Sequence, residues 1–241
     1  MTALSAAGVA ERLEDVRARI AGAGGKEVRV VAVTKGFGPE AIETAVAAGC
    51  RDIGENYAQE LVAKLAAVRG PSPVVHFVGH LQTNKIRQLV PLVDVWQSVD
   101  RVEVVDVLAR RAAPNARVLV QVNVAGQPQQ GGCDPDDTPQ LVAAATDAGL
   151  DVVGLMAIGH PGGPAAARPG FRQLRHLVDD LGLAQCSMGM SGDLEAAVEE
   201  GIDHGARGHG PVRAAPATLV NSTSELTSCR GRMRCRSSRR R

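Results

Sequence analysis

Apolar residues follow two alternating patterns along the chain. Short runs of β-branched and aliphatic residues, such as Val28–Val33 and Arg117–Val124, are typical of buried strands. Between these runs, apolar residues return every three or four positions, as in Leu4–Ala23, which is typical of helices with one buried face. Regular alternation of strands and helices indicates an α/β architecture built on a parallel sheet.

The pattern predicts an opening helix and then seven strand–helix units. The predicted strands are Val28–Val33, the short run Asp52–Asn56, Val74–Gly79, Val93–Val99, Arg117–Val124, Asp151–Ile158 and Gln185–Ser191. The predicted helices are Leu4–Ala23, Pro39–Ala48, Tyr57–Val68, Thr83–Leu89, Arg101–Ala113, Thr138–Ala148, Ala165–Leu181 and Gly192–Glu200. Thr83 and Thr138 are suited to cap the helices that they open.

Two sheet topologies fit this alternation. A doubly wound sheet is one, but no Gly-x-Gly-x-x-Gly loop follows the first strand, and the short regular spacing favours a single (β/α)8 barrel. An eighth strand should begin just after Gly201, yet residues 202–211 have no apolar periodicity and three glycines. We therefore expect a barrel over residues 1–201 whose eighth strand is missing or disordered, followed by a disordered tail, residues 202–241.

Charge sets the last part of the tail apart from the rest of the chain. The formal net charge is +1, but Ser228–Arg241 contains seven arginines and no acid; without them 20 basic residues face 26 acidic ones, a net of −6. No apolar run is long enough for a membrane span and no signal peptide is recognisable, so we expect a cytoplasmic protein without membrane contact. The five cysteines are scattered and indicate neither disulfides nor a metal site.

One lysine stands at the end of the first strand. Lys35 follows Val28–Thr34 and precedes the loop Gly36–Pro39, so its side chain should emerge where the strand leaves the sheet. A lysine in that position can act as an amine nucleophile and form a Schiff base. An ordinary solvated lysine fits the same pattern, since most lysines are exposed.

Further polar residues end other predicted strands. Asn56 follows the second strand, His80 the third, and the Ser191–Gly192 turn the seventh. In a barrel these groups would converge with Lys35 on one mouth. The turn is suited to bind phosphate through its N–H groups, although Ser191 could equally be an ordinary N-cap, and His80 could be structural. No cluster indicates a metal, and no Ser-His-Asp order indicates a hydrolase.

Four motifs resemble those of the pyridoxal phosphate homeostasis protein family. They occur in the family's order, as Ala32–Lys35, Gly54–Glu60, His76–Lys85 and Ser187–Glu195, and the resemblance extends from the first helix to about Gly201. It implies a barrel like the N-terminal domain of alanine racemase. It also implies a carrier or regulator of the cofactor pool, without an established turnover, that could pass cofactor to pyridoxal-phosphate-dependent apoenzymes.

The same resemblance assigns residues to the cofactor. Pyridoxal 5′-phosphate would be held as an aldimine on Lys35, its phosphate by Ser191 and Gly192, while Asn56 and His80 would line the mouth. No residue would be catalytic in the usual sense.

Two other functions remain as alternatives. A racemase-like enzyme of the same barrel type would need a second acid–base group on the opposite face of the substrate, often a tyrosine, and Tyr57 is the only tyrosine. A nucleic-acid-binding protein could use the seven arginines of Ser228–Arg241 to neutralise phosphates. The tail has no interleaved aromatic residues for base stacking, which argues against nucleic acid.

The family pattern departs from this chain after Glu199-Glu200-Gly201. The family continues roughly as Ser-Thr-Met-Val-Arg-Val-Gly-Thr-Ala-x-Phe-Gly, which supplies the eighth strand, an arginine for the pyridine nitrogen and a turn for the phosphate. Synonymous codons can be chosen for Ile202–Arg213 so that reading one nucleotide later encodes Ser-Thr-Met-Val-Arg-Val-Gly-Thr-Ala-Arg-Phe. This compatibility suggests the hypothesis that residues from about 202 onward are a frame-shifted translation.

Overall fold

The computed structural model describes residues 5–25, 28–202 and 217–218, in which eight parallel strands alternate with eight α-helices. The strands are β1 (Val31–Val33), β2 (Asp52–Glu55), β3 (Val74–Phe77), β4 (Val95–Val99), β5 (Arg117–Gln121), β6 (Asp151–Met156), β7 (Gln185–Ser187) and β8 (Ala217–Thr218). The helices are α1 (Ala6–Gly22), α2 (Pro39–Ala47), α3 (Ala58–Ala67), α4 (Thr83–Leu89), α5 (Val102–Arg111), α6 (Thr138–Asp147), α7 (Pro164–Asp180) and α8 (Leu194–Ala197).

All strand pairs are parallel and follow the chain in order. The sheet runs β7-β6-β5-β4-β3-β2-β1-β8, and each strand from β2 to β7 pairs with the one before it. Successive strand–helix units whose strands are neighbours give the barrel type of α/β fold rather than a doubly wound sheet, in which the strand order would reverse. The predicted single (β/α)8-type fold is confirmed.

The eighth strand is incomplete among the described residues. β8 is two residues long and pairs with β1, with Ala217 opposite Ala32 and Thr218 opposite Val33. No pairing joins β7 to β8 in the part of the chain that the structure describes. The remainder of the predicted tail, residues 203–216 and 219–241, lies outside the described residues, and with it the prediction of disorder there.

The predicted helices and strands are present, with ends that differ by one to a few residues. The predicted capping roles of Thr83 and Thr138 were wrong, because the N-cap positions are Gln82 and Asp137. The Thr138 hydroxyl donates to the backbone oxygen of Asp134 at 3.0 Å instead of accepting from a helix N–H. The 3₁₀ turn Pro135–Asp137 leads directly into α6, so Asp137 takes the N-cap position and Thr138 is the first residue of the helix.

Small aliphatic residues fill most of the core. The four apolar residues of α1 predicted to share one face, Val9, Leu13, Val16 and Ile20, are all buried. The largest fully buried side chains are Trp96 on β4, Phe77 on β3 and Phe171 on α7. Strands buried on both faces, by helices outside and by side chains of the barrel interior inside, favour such an apolar composition. Within the described residues, none of the helices is both long enough and apolar enough to cross a bilayer.

Candidate functional site: the mouth of the barrel

Lys35 lies at the carboxyl end of β1, directly after the fully buried Thr34. Its side chain is exposed and makes no hydrogen bond or ion pair with another described residue. The next residue, Gly36, has φ of +79°, a conformation that favours glycine and turns the chain away from the sheet. The structure therefore presents the Lys35 amine to solvent at the mouth, with no carboxylate among the described residues to occupy it.

Helix α3 holds the backbone on both sides of Lys35. Lys64 Nζ donates to the backbone oxygen of Thr34 at 2.6 Å, and the backbone N–H of Gly36 donates to Glu60 Oε1 at 2.6 Å. Lys64 also pairs with Glu60 at 2.5 Å, so the two contacts support each other. We call Glu55, Glu60 and Lys64 the clamp; it fixes where Lys35 leaves the strand.

A buried carboxylate completes the clamp. Glu55 Oε1 accepts from Thr34 Oγ1 at 2.5 Å and from Lys64 Nζ at 2.6 Å, and the Glu55 side chain has no exposed surface. Glu55 Oε2 is buried and without a hydrogen-bond partner among the described residues. Burial raises the pKa of Glu55, although the hydrogen bonds from Lys64 and Thr34 oppose this shift.

Asn56 and His80 are placed side by side by the ends of β2 and β3. Gly79 makes this approach possible, because a Cβ at that position would lie 1.9 Å from the backbone oxygen of Asn56. Asn56 is half-buried, whereas His80 is exposed and its Nδ1 lies 3.7 Å from Oδ2 of Asp100. Both residues line the same cavity at the mouth.

The Ser191–Gly192 turn lies between β7 and α8, at the same end of the barrel. Asp193, not Ser191, is the N-cap residue of α8, so the capping alternative for Ser191 does not hold. A Cβ at Gly192 would meet nothing within 4 Å, which leaves the turn's backbone open. The helix behind it has only four residues before a π-helical turn over Val198–Ile202, so its dipole is small.

Helix α1 supports this turn from outside. Arg19 donates to the backbone oxygen of Ser191 at 2.8 Å and to the two carboxylate oxygens of Glu195 at 2.6 and 2.9 Å. The hydrogen bond from Arg19 lowers the pKa of Glu195. Arg19 thereby joins α1 to α8, the first and the last of the described α-helices, next to the turn.

A chain of polar groups crosses the barrel interior below the mouth. Ser187 Oγ donates to Gln97 Oε1 at 2.7 Å, Gln97 Nε2 lies 2.6 Å from His76 Nδ1, and His76 Nε2 lies 3.0 Å from Asp52 Oδ1. With Gln97 donating to Nδ1, His76 carries its proton on Nε2 and donates to Asp52. Arg29 contacts both Asp52 oxygens at 2.8 Å. The interior chain thus connects β7, β4, β3 and β2 (Ser187, Gln97, His76, Asp52 and Arg29).

The interior chain lowers the pKa of Asp52. Burial alone would raise that pKa, but the hydrogen bonds from His76 and Arg29 and the positive charge of Arg29 outweigh it.

Sequence reasoning identified the mouth residues but not the clamp or the interior chain. Glu60 and Lys64 are four residues apart on one helix, a spacing that by itself indicates an exposed pair. Their burial depends on Thr34 and Glu55, which only the folded chain brings close. In the described part of the chain, no group of three or more His, Cys, Asp or Glu side chains is arranged to hold a metal ion.

Comparison with known proteins places this geometry in a family. The family model described as alanine racemase, N-terminal domain, matches residues 5–219. The pyridoxal phosphate homeostasis protein of Pseudomonas aeruginosa is 40% identical over 206 residues, covering 80% of this chain and 90% of that protein. The protein of the same name from Aquifex aeolicus is 36% identical over 208 residues, covering 79% of this chain and 91% of its own.

A solved structure extends the likeness to the fold. PipY of Synechococcus elongatus, determined with PLP bound, superposes with a TM-score of 0.70 at 30% identity, covering 86% of this chain and 97% of PipY. Sequence and fold agree over most of both chains. The chain therefore belongs to the pyridoxal phosphate homeostasis protein family, on a barrel of the alanine racemase N-terminal type.

Proposed function

We propose that this protein binds pyridoxal 5′-phosphate through Lys35 and holds it for the cytoplasmic cofactor pool. The observation that carries the proposal is the state of Lys35, an exposed amine without a partner among the described residues, whose neighbours on both sides are fixed by α3. PipY, 30% identical, was solved with PLP bound, which supports the same ligand here.

The residues at the mouth of the barrel fit the aldehyde end of pyridoxal 5′-phosphate. The aldehyde would condense with the Lys35 amine, forming a C=N bond and releasing one water, and this reversible bond is the only chemistry required of the cofactor. Ser191 and Gly192 would hold the phosphate, because the turn is open above Gly192 and is supported from behind by Arg19. Asn56 and His80 would line the entrance.

A carrier fits this mouth better than a racemase. Racemisation needs a second acid–base group within hydrogen-bond reach of the substrate carbon. Tyr57, the only tyrosine of the chain, is 57% exposed at the start of α3, where water competes with any substrate. A reversible bond to Lys35 without a poised second base suits storage and release to apoenzymes.

Handover and turnover can be measured on the same preparation. Protein loaded with pyridoxal 5′-phosphate and freed of excess cofactor should restore activity to a purified apo-aminotransferase, and Lys35→Ala treated identically should not. Incubation with L-alanine or D-alanine should leave the enantiomer unchanged over many hours. Steady racemisation at enzyme-like rates would overturn the carrier assignment in favour of the racemase alternative, and failure to reactivate the apoenzyme would overturn handover.

A further inference from the structure

A cavity of about 260 Å³ opens between the starts of α3 and α4. Its inner wall is apolar, formed by Phe77 at the end of β3 and Leu89 at the end of α4, which are 2% and 1% exposed. The volume lies just below the range of roughly 300–1,000 Å³ that is usual for drug-sized ligands. A small molecule would therefore fill it.

Five polar side chains line this cavity without a hydrogen bond or ion pair to another described residue: Asn56, Tyr57, Gln59, Gln82 and Lys85. Three of them are exposed, and solvent satisfies them. Asn56 and Lys85 are half-buried, so their lack of protein partners is informative. Convergence of a few unpartnered polar groups on an apolar wall is the usual composition of a small-molecule site.

The charge of the lining selects the ligand. Lys85 contributes a positive charge, and no Asp or Glu is among the described residues that line the cavity. Asp100 Oδ2 lies 3.7 Å from Nδ1 of His80, which lines the cavity, and Arg101 already pairs with Asp100 at 2.5 Å.

Helix α3 adds to the positive field of the cavity. It is ten residues long, begins at the cavity wall, and has no side-chain hydrogen bond at its N-cap, so its first N–H groups are available. The unpaired ammonium of Lys85 and the N-terminus of α3 together favour an anion. An amino acid would also bring its own ammonium group, for which no described residue of the lining offers an acid.

We propose that this cavity binds a small organic anion, a carboxylate or a phosphate monoester that carries no ammonium group, with Lys85 as its cation. Asn56 and Gln82 would donate further hydrogen bonds, and the apolar part of the ligand would pack on Phe77 and Leu89. Lys35 and Ser191 are not in the lining, whereas Asn56 and His80, which are also proposed to line the entrance for the cofactor, are. The anion site therefore adjoins that entrance, and its cation is Lys85.

Titration calorimetry on the full chain at low ionic strength tests the proposal with three probes: inorganic phosphate, succinate and glycine. Phosphate or succinate should bind saturably, and glycine should not. Lys85→Met should weaken this binding by at least about tenfold, since a hydrogen bond to a charged group is lost. Arg87→Met, which removes one exposed positive charge two residues further along α4, is the matched control and should leave it unchanged.

Three more variants separate this site from Lys35 and from the phosphate turn. Ser191→Ala and Lys35→Met should retain probe binding, and Gln82→Ala, an exposed change that spares the fold, should weaken it several-fold. The proposal is overturned if no probe saturates, if Arg87→Met loses as much as Lys85→Met, or if glycine binds as well as succinate. Loss of phosphate binding in Ser191→Ala with retention in Lys85→Met would also overturn it, by placing the anion at the cofactor's phosphate turn.

Discussion

Lys35 and Lys64 show how the fold gives one residue type two roles. Lys35 is exposed at the mouth, whereas the Lys64 side chain is 3% exposed and lies between the carboxylates of Glu55 and Glu60. Local sequence could identify Lys35, because it ends an apolar run. It could not identify Lys64, because the burial of that residue depends on Thr34, thirty positions away.

Removing the buried ammonium should destabilise the protein strongly. Lys64→Met leaves the buried Glu55 carboxylate without its counter-charge, and breaking a buried pair in this way typically costs about 3–5 kcal/mol. The free energy of unfolding, measured in urea, should fall by that amount. Lys85→Met, a half-buried lysine without an ion pair among the described residues, should change it by less than about 0.5 kcal/mol.

The double variant Glu55→Gln with Lys64→Met sharpens this prediction. Because it removes both charges, it should recover part of the stability lost in Lys64→Met. Equal stabilities of Lys64→Met and Lys85→Met would show that the clamp contributes little.

Whole elements were predictable because their signal is local. The apolar spacing of α1 and the β-branched run of β5 each lie within one segment, and both are present with nearly the predicted bounds. The interior chain was not predictable, since Gln97 and Ser187 are ninety residues apart and meet only when β4 and β7 face each other across the barrel. A strand pattern states which residues alternate, not which distant residues they touch.

The interior chain makes stability depend on pH through Asp52. Its folded-state pKa lies below the ordinary value of 3.8, so the stability it contributes is present above that value and is lost as the pH falls through the folded-state pKa. Asp52→Asn should lower the free energy of unfolding by roughly 1–3 kcal/mol at neutral pH.

Urea unfolding of both proteins from about pH 7 to about pH 3 measures this dependence. The difference between wild type and Asp52→Asn should shrink on acidification. Glu14→Gln, which removes an exposed carboxylate paired with Arg17, is the control and should show little difference at any pH. A difference for Asp52→Asn that stays constant across the range would contradict the role of its charge.

At the scale of the molecule, helices rather than strands join the two ends of the barrel among the described residues. Arg19 connects α1 to α8, while β7 and the two-residue β8 do not pair among the described residues. Counting strand–helix units predicted the barrel, and the loss of apolar pattern after Gly201 predicted that its closure would be incomplete. An open strand edge invites pairing with other chains.

We propose that the incomplete closure among the described residues originates in a shifted reading frame after about residue 202. A variant in which Ile202–Arg213 and the remaining tail are replaced by Ser-Thr-Met-Val-Arg-Val-Gly-Thr-Ala-Arg-Phe-Gly should restore a full eighth strand. It should aggregate less and retain pyridoxal 5′-phosphate longer on dialysis, because the pyridine and phosphate partners return. A control that only deletes Ser228–Arg241 should gain neither property.

The gene itself tests the shifted frame. Sequencing across codons 198–214 should reveal a nucleotide string whose next frame encodes the family segment. A confirmed frame without such a string would refute the shift.

The central claim is that Lys35 holds the cofactor, and reduction with borohydride tests it most directly. Purified protein mixed with pyridoxal 5′-phosphate and then freed of unbound cofactor should retain an absorbance band that borohydride abolishes, and peptide mass mapping should then find the reduced adduct on Lys35. Lys35→Ala should lose both the band and the adduct, while Lys85→Ala should keep them. A band and adduct that persist in Lys35→Ala would contradict the account.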